Sequence, residues 1–254
     1  MSADLSDRHA LVTGGGSGVG AAIAESLAEA GARVTILGRR RSPLDDIASR
    51  CENIFAVEGD VTDEASISAA FEEARKARGA PSIVVANAGA AEGVPFHRMD
   101  MAAWHQMLAV NLTGVFLTFR AALPAMREAG FGRLIAVAST AGLKGYPYVA
   151  HYCAAKHGVV GLTRALALET AKTGVTVNAI CPGFTATPLL ERSLDKIMET
   201  TGKGRDEAEK ALTANNPMGR LIRPDEIAET VKWLCGSASG SVTGQALSIS
   251  GGEI

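Results

Sequence analysis

Tyr152 and Lys156, with Ser139 thirteen positions earlier, are the residues of this chain whose types and spacing suit acid–base chemistry. On a helix, residues i and i+4 share one face a turn apart. A free tyrosine titrates near ~10, too high to exchange protons readily at neutral pH. An ammonium ~4 Å away, at an effective dielectric of ~20, would favour the phenolate by ~4 kcal/mol. That is a depression of roughly three pKa units before desolvation is subtracted. Such a phenol would pass a proton to or from a carbonyl oxygen. Tyr-x-x-x-Lys also arises by chance on amphipathic helices, so its meaning depends on the elements around it. The run RLIAVA before Ser139 reads as a buried parallel strand, and a helix begins near His151. Ser139 therefore sits where a strand gives way to a loop, the edge at which open α/β sheets bind ligands.

The chain has 254 residues, 47% of them hydrophobic, with 28 glycines and a formal net charge of −2. That is enough for one large α/β domain, and no linker or composition shift divides residues 1–254. The charge gives no reason to expect nucleic acid or an anionic membrane as partner. The first ten residues lack an apolar core, and no uninterrupted apolar run approaches the ~18 residues of a membrane span. Cys51, Cys153, Cys181 and Cys235 have no paired spacing, which suits reduced thiols in the cytoplasm. The histidines show no ligand spacing either, so no metal is expected.

In order, HALVT (9–13) reads as a short strand, TGGGSGVG (13–20) as a glycine-rich loop opening a helix, and RVTIL (33–37) as a central strand. This order begins a dinucleotide-binding fold, in which the helix N-terminus meets a pyrophosphate. The spacing Gly14-x-x-x-Gly18-x-Gly20 departs from G-x-G-x-x-G. After the second strand comes Arg39-Arg40-Arg41, with no carboxylate before Asp45. A carboxylate there would hold ribose hydroxyls, whereas an arginine suits a 2′-phosphate. NADP(H) with Arg39 as its contact is therefore favoured. NAD(H) stays open, because the arginines would equally begin a solvated helix. Further strands are expected at 54–61, 82–89, 175–183 and 244–250, with helices at 63–78, 102–126 and from Pro224 to Cys235. Asn111 falls mid-helix, where a polar side chain needs a partner. Residues 184–216 mix short helical pieces with polar joints and suit a mobile flap. Its Leu189, Leu190, Leu194, Ile197 and Met198 would face an apolar acyl substrate or else pack the flap onto the body. Tyr146, Tyr148 and His151 are expected to border the pocket.

Taken together, TGGGSGVG, Asp60-Val61, Asn87-Ala88-Gly89, Asn111, Ser139, Tyr152-x-x-x-Lys156, Asn178, Cys181-Pro182-Gly183 and Ser250-Gly251-Gly252 resemble the classical short-chain dehydrogenase/reductase family along essentially the whole chain. The resemblance implies a Rossmann-type, doubly wound, seven-stranded parallel sheet. It makes Tyr152 the acid in reduction and the base in oxidation. Lys156 would lower the Tyr152 pKa and bind the nicotinamide ribose, Ser139 would polarise the carbonyl, and Asn111 would hold a relay water. It also implies a cofactor bound by Gly14, Ser17, Gly18, Val19 and Gly20, by Asp60 and Val61 at the adenine, and by Asn87, Ala88 and Gly89. Pro182, Gly183, Thr185 and Thr187 would place the nicotinamide for 4-pro-S transfer. A homotetramer of 222 symmetry is implied as well. Residues 151–190 look most like aromatic-polyketide ketoreductases, 3-oxoacyl-thioester reductases and 3-hydroxybutyrate dehydrogenases. The expected substrate is accordingly a 3-oxoacyl compound. Two rivals are a silent NADP(H)-binding redox sensor and a sugar-nucleotide epimerase. The presence of Asn111, Ser139, Tyr152 and Lys156 together argues against the first, the chain length and glycine spacing against the second.

Overall fold

In the computed structural model, residues 4–202 and 204–254 are described, except for the side chain of Ile197. Seven strands, β1 (His9–Thr13), β2 (Arg33–Gly38), β3 (Ile54–Glu58), β4 (Ile83–Ala86), β5 (Gly132–Val137), β6 (Val175–Pro182) and β7 (Ala246–Ile249), form one sheet in the order β3-β2-β1-β4-β5-β6-β7. All six pairings are parallel. Parallel strands covered on both faces need apolar residues throughout, and every residue of β1, β4, β5 and β6 is buried. Alternation still assigns the faces. Ala10 and Val12 of β1 pack with Ile23 and Leu27 of α1 (Gly18–Glu29) and Ile227 and Val231 of α9 (Pro224–Cys235). Leu11 points the other way, toward Ile67 and Phe71 of α3 (Glu64–Arg78) and Phe119 of α5 (Gly114–Ala129). The helix α2 (Arg41–Ala48) lies on the α1 side. The strand order reverses between β1 and β4, so a crevice opens at their carboxyl ends.

The expected helix over 102–126 forms, spanning residues 101–129, but it widens in the middle. α4 (Met101–Leu108) runs into a wide π turn (Ala109–Thr113), and α5 then follows. The extra residue in a π turn rotates its side chains off the regular helical face, a device frequent at functional sites. Here it turns Asn111 fully inward. The helical stretch 101–129 is long and apolar enough to cross a membrane by length and composition, but half of its most apolar part is buried inside the protein. The apolar character has a local reason: Val115, Leu117, Phe119, Ala122 and Met126 are buried against the sheet.

α6 (Ala150–Thr170) carries Tyr152 and Lys156. Residues 184–216 are better formed than expected, with α7 (Pro188–Thr201) and α8 (Arg205–Thr213) joined by a bidentate Arg205–Glu191 pair at 2.7 and 2.8 Å. Leu190 and Leu194 are buried in a small core with Ala208, against which Phe184, Met198, Leu212 and Leu221 pack. These two leucines thus pack the flap rather than face a substrate. Ile197 falls outside the described side chains.

Candidate active site

Lys156 is built into the protein interior, 3% exposed, and its Nζ donates to the Val137 carbonyl at 2.8 Å. That bond ties α6 to the last residue of β5, two positions before Ser139. The Nζ lies 5.6 Å from the Tyr152 ring centroid. Burial lowers the lysine pKa from 10.5 to about 8, because a charged amine loses hydration inside the protein. Tyr152 moves opposite to the expected direction. Burial raises its pKa, with the neighbouring Ser139 hydroxyl pulling it down only in part. The expectation assumed that Coulomb attraction would win. It does not, because the phenol is desolvated by burial. Tyr152 is therefore a neutral, proton-bearing phenol at pH 7. Ser139 caps the 3₁₀ turn Thr140–Gly142, its Oγ accepting from Ala141 N at 3.1 Å.

Asn111 Nδ2 donates to Ala90 O at 2.9 Å and to Met107 O at 3.1 Å, and Ala90 N donates to Asn111 Oδ1 at 3.3 Å. This clamps the exit of β4 onto the π turn. A Cβ added at Gly89 would lie 2.9 Å from Asn111 Oδ1 and 3.8 Å from Lys156 Nζ, so these residues meet at one point. Asn87 reaches the other way, its Nδ2 donating to Thr13 O at 2.9 Å and Gly14 O at 3.3 Å. Thr13 completes the tie, its Oγ1 accepting from Asn87 N and Ala88 N, both at 3.0 Å. Sequence reasoning passed over Thr13. Its signal was a hydroxyl at the last position of the strand feeding the glycine loop.

The glycine loop fits a dinucleotide. Gly14 N bonds Leu37 O at 2.7 Å, bringing the loop against the end of β2. A Cβ at Gly20 would lie 2.3 Å from Gly14 O and 2.4 Å from Asn87 Nδ2, so only glycine lets α1 pack this close. The Ser17 hydroxyl is exposed and makes no cap bond, and α1 has no acidic residue in its first turn. That leaves Gly18, Val19 and Gly20 at a helix N-terminus suited to an anion. Gly18 faces Thr187, whose Cγ2 would lie 3.2 Å from an added Cβ. Thr187 in turn caps α7 through Leu190 N, and Thr185 Oγ1 donates to Gly183 O at 2.9 Å just beyond Pro182. The glycine loop and the 182–187 segment thus face each other.

Toward β3, Arg39 is exposed and makes no hydrogen bond or ion pair among the described residues, whereas Arg41 is paired with Asp45 at 2.8 Å. Arg39 lines a cleft with Glu58, Gly59, Asp60 and Ser66. Burial pushes the Asp60 carboxyl up, but bonds from the Thr62 amide and hydroxyl at 2.9 and 2.8 Å, with Arg39 nearby, leave it lowered. One Asp60 oxygen is thereby committed to the loop. Val61 packs beneath it on Gly114.

Of the three pocket-border residues, His151 is 1% exposed and accepts from Tyr152 N at 3.0 Å, so it supports the helix start. Tyr148 is exposed with φ +67°, a strained value for a bulky residue, and its carbonyl accepts from Val94 N at 2.7 Å. Tyr146 is tied by its hydroxyl to Thr140 and Glu253.

The short chain dehydrogenase model matches residues 8–197. A cis-4-hydroxycyclohexanecarboxylate dehydrogenase of Sinomonas cyclohexanicum is 38% identical, over 99% of this chain and 98% of its own length. A putative ketoacyl reductase of the granaticin polyketide synthase of Streptomyces violaceoruber is 39% identical, over 96% of this chain and 92% of its own. Among solved structures, a variant actinorhodin polyketide ketoreductase with NADPH superposes with a TM-score of 0.93 at 36% identity, covering 97% of each chain.

Proposed function

The chain belongs to the short-chain dehydrogenase family, and from that premise we propose that it is an NADP(H)-dependent carbonyl reductase acting on a 3-oxoacyl or polyketide-like ketone. The observation that carries the reading is the convergence of Ser139, Tyr152 and Lys156 where β5 meets the Asn87–Gly89 exit and the glycine loop. The dinucleotide would lie across Gly14 and Ser17–Gly20, with its adenosine end at Arg39, Asp60 and Val61 and its nicotinamide end at Pro182, Gly183, Thr185 and Thr187. Bound there, it supplies the hydride.

The chain supplies the proton and the placement. Ser139 and Tyr152 hydroxyls both donate to the substrate carbonyl oxygen, where negative charge develops. Tyr152 carries its proton at pH 7 and would give it to that oxygen as charge develops there, completing the alcohol. The phenolate left behind is balanced by the Lys156 ammonium, still mostly charged at pH 7 with a pKa of about 8. Val137 and Asn111 hold that ammonium and the β4 exit in register. The buried Asn111 also marks where the relay water inherited from the resemblance would sit.

NADP(H) is supported by the unpaired Arg39 and by the likeness to a ketoreductase solved with NADPH. A second reading, NAD-linked oxidation of a ring alcohol, is favoured by Glu58, whose carboxylate shares the Arg39 cleft and would accept from ribose hydroxyls. The similarity to a hydroxycyclohexanecarboxylate dehydrogenase fits that reading too. For assembly, we favour a homotetramer, with Phe116 of α5 and Leu168 of α6 as exposed apolar positions to be covered.

The test follows absorbance at 340 nm with NADPH and NADH in parallel against acetoacetyl-CoA, longer 3-oxoacyl thioesters, bicyclic ketones and simple aldehydes. Turnover of thioesters or bicyclic ketones with NADPH supports the proposal. Turnover confined to NADH with ring substrates supports the second reading. Tight NADPH binding with no turnover of any carbonyl would overturn both.

A further inference from the structure

The last strand is followed by a tail that returns to the active-site loop. Gly251 and Gly252 take φ values of +65° and +91°, a turn open to glycine, and it reverses the chain after β7. The reversal buries the Glu253 side chain to 2% exposure. Its Oε1 lies 2.8 Å from Lys144 Nζ and 2.7 Å from the Tyr146 hydroxyl, which is also 2.7 Å from Thr140 Oγ1. A carboxylate only accepts, so the single phenolic proton goes to Glu253, and the Thr140 hydroxyl donates to the phenol oxygen. A Cβ at Gly183 would sit 3.5 Å from Glu253 Oε2, and the Tyr146 ring meets Phe184 edge-on at 6.0 Å. One carboxylate therefore joins the segments leaving β5, β6 and β7, three neighbouring strands.

We propose that Glu253 is a positioning residue that acts through Tyr146 and Thr140 to hold the Ser139 loop in place. Thr140 begins the turn that Ser139 caps, and its carbonyl accepts from both Leu143 N and Lys144 N at 2.9 Å. Pulling Thr140 and Lys144 toward one buried carboxylate fixes the two ends of that turn, and with them the direction of the Ser139 hydroxyl. The role rests on the reductase reading for its catalytic consequence but not for its structural one. A half-satisfied buried carboxylate is costly, so the cluster acts as a unit.

The experiment compares the full chain with Glu253→Ala, Glu253→Gln and Tyr146→Phe. Hydrogen exchange of the segment 139–148, without substrate, should quicken at least tenfold at Gly142–Lys144 in Glu253→Ala and Tyr146→Phe. It should stay within threefold of wild type in Glu253→Gln, whose amide oxygen still accepts from Tyr146. With NADPH and 1-decalone, Glu253→Ala should lose about tenfold in kcat while the KM for NADPH stays within twofold, and Glu253→Gln should recover most of the loss. Unchanged exchange in Glu253→Ala, or equal kcat losses in the Ala and Gln variants, would overturn the proposal. If Glu253→Ala does not fold, Tyr146→Phe decides, and wild-type exchange there counts against the role. A wild type that reduces no carbonyl would defeat the reductase reading and leave the exchange result to judge Glu253.

Discussion

Replacing Lys156 by methionine should stabilise the folded chain at pH 7 while ending its turnover. The lysine is 3% exposed and its pKa falls from 10.5 to about 8, chiefly through burial, with Cys181 pulling slightly the other way. The folded pKa lies below the unfolded one, so the unfolded chain holds the proton more tightly. Keeping Lys156 charged in the fold therefore costs stability below pH 8, and the cost fades as pH rises from 8 to 10.5. A gap of about 2.5 units, at about 1.4 kcal/mol each, is about 3.5 kcal/mol. Methionine has nearly the same length and no charge, but it gives up the 2.8 Å bond to Val137 O, worth about 1 kcal/mol. The net gain at pH 7 is about 2.5 kcal/mol, or about 5–10 °C in thermal midpoint for a domain of this size. The assay is a thermal or urea unfolding series of both proteins between pH 7 and pH 10.5, without cofactor. The gain should shrink steadily above pH 8. A methionine variant less stable than wild type at pH 7, or a difference that ignores pH, would refute the reasoning that Lys156 is held charged at a cost.

Tyr152→Phe should cut turnover more than a thousandfold with NADPH affinity within threefold, by fluorescence titration; turnover above a tenth of wild type would remove the phenol from proton transfer. Arg39→Asp should lower the ratio of kcat/KM for NADPH over NADH at least thirtyfold, and an unchanged ratio would place Arg39 outside the cofactor site. His9 is 2% exposed, between Gly79 O at 2.6 Å and Thr35 Oγ1 at 2.8 Å, and burial lowers its pKa from 6.5 to about 4. Its folded pKa is depressed, so its contribution is full above pH 6.5 and is lost as pH falls through about 4, amounting to about 3 kcal/mol. Urea unfolding at pH 7 and pH 4 should show that loss, and His9→Gln should remove most of it; a variant with the wild-type pH slope would assign the acid sensitivity elsewhere.

The sequence by itself determined the sheet and the chemistry it carries. Apolar runs such as IVVA and RLIAV have a single use in an α/β sheet, as strands covered on both faces, and the β–α alternation determined their parallel sense. Tyr152 and Lys156 were legible because helical spacing is local. Leu190 and Leu194 were legible as apolar, but whether they met a substrate or each other was settled only when α7 and α8 packed together. The same limit applies to electrostatics. The Tyr152 pKa was misjudged because charge proximity can be guessed from spacing, whereas burial depends on the packed fold. The π turn at Asn111 was likewise hidden, since a helix with one extra residue per turn has no distinct composition. Glu253 is the extreme case. Its partners lie more than a hundred positions earlier, and only the ordering of β5, β6 and β7 side by side brings that carboxylate to Tyr146 and Lys144.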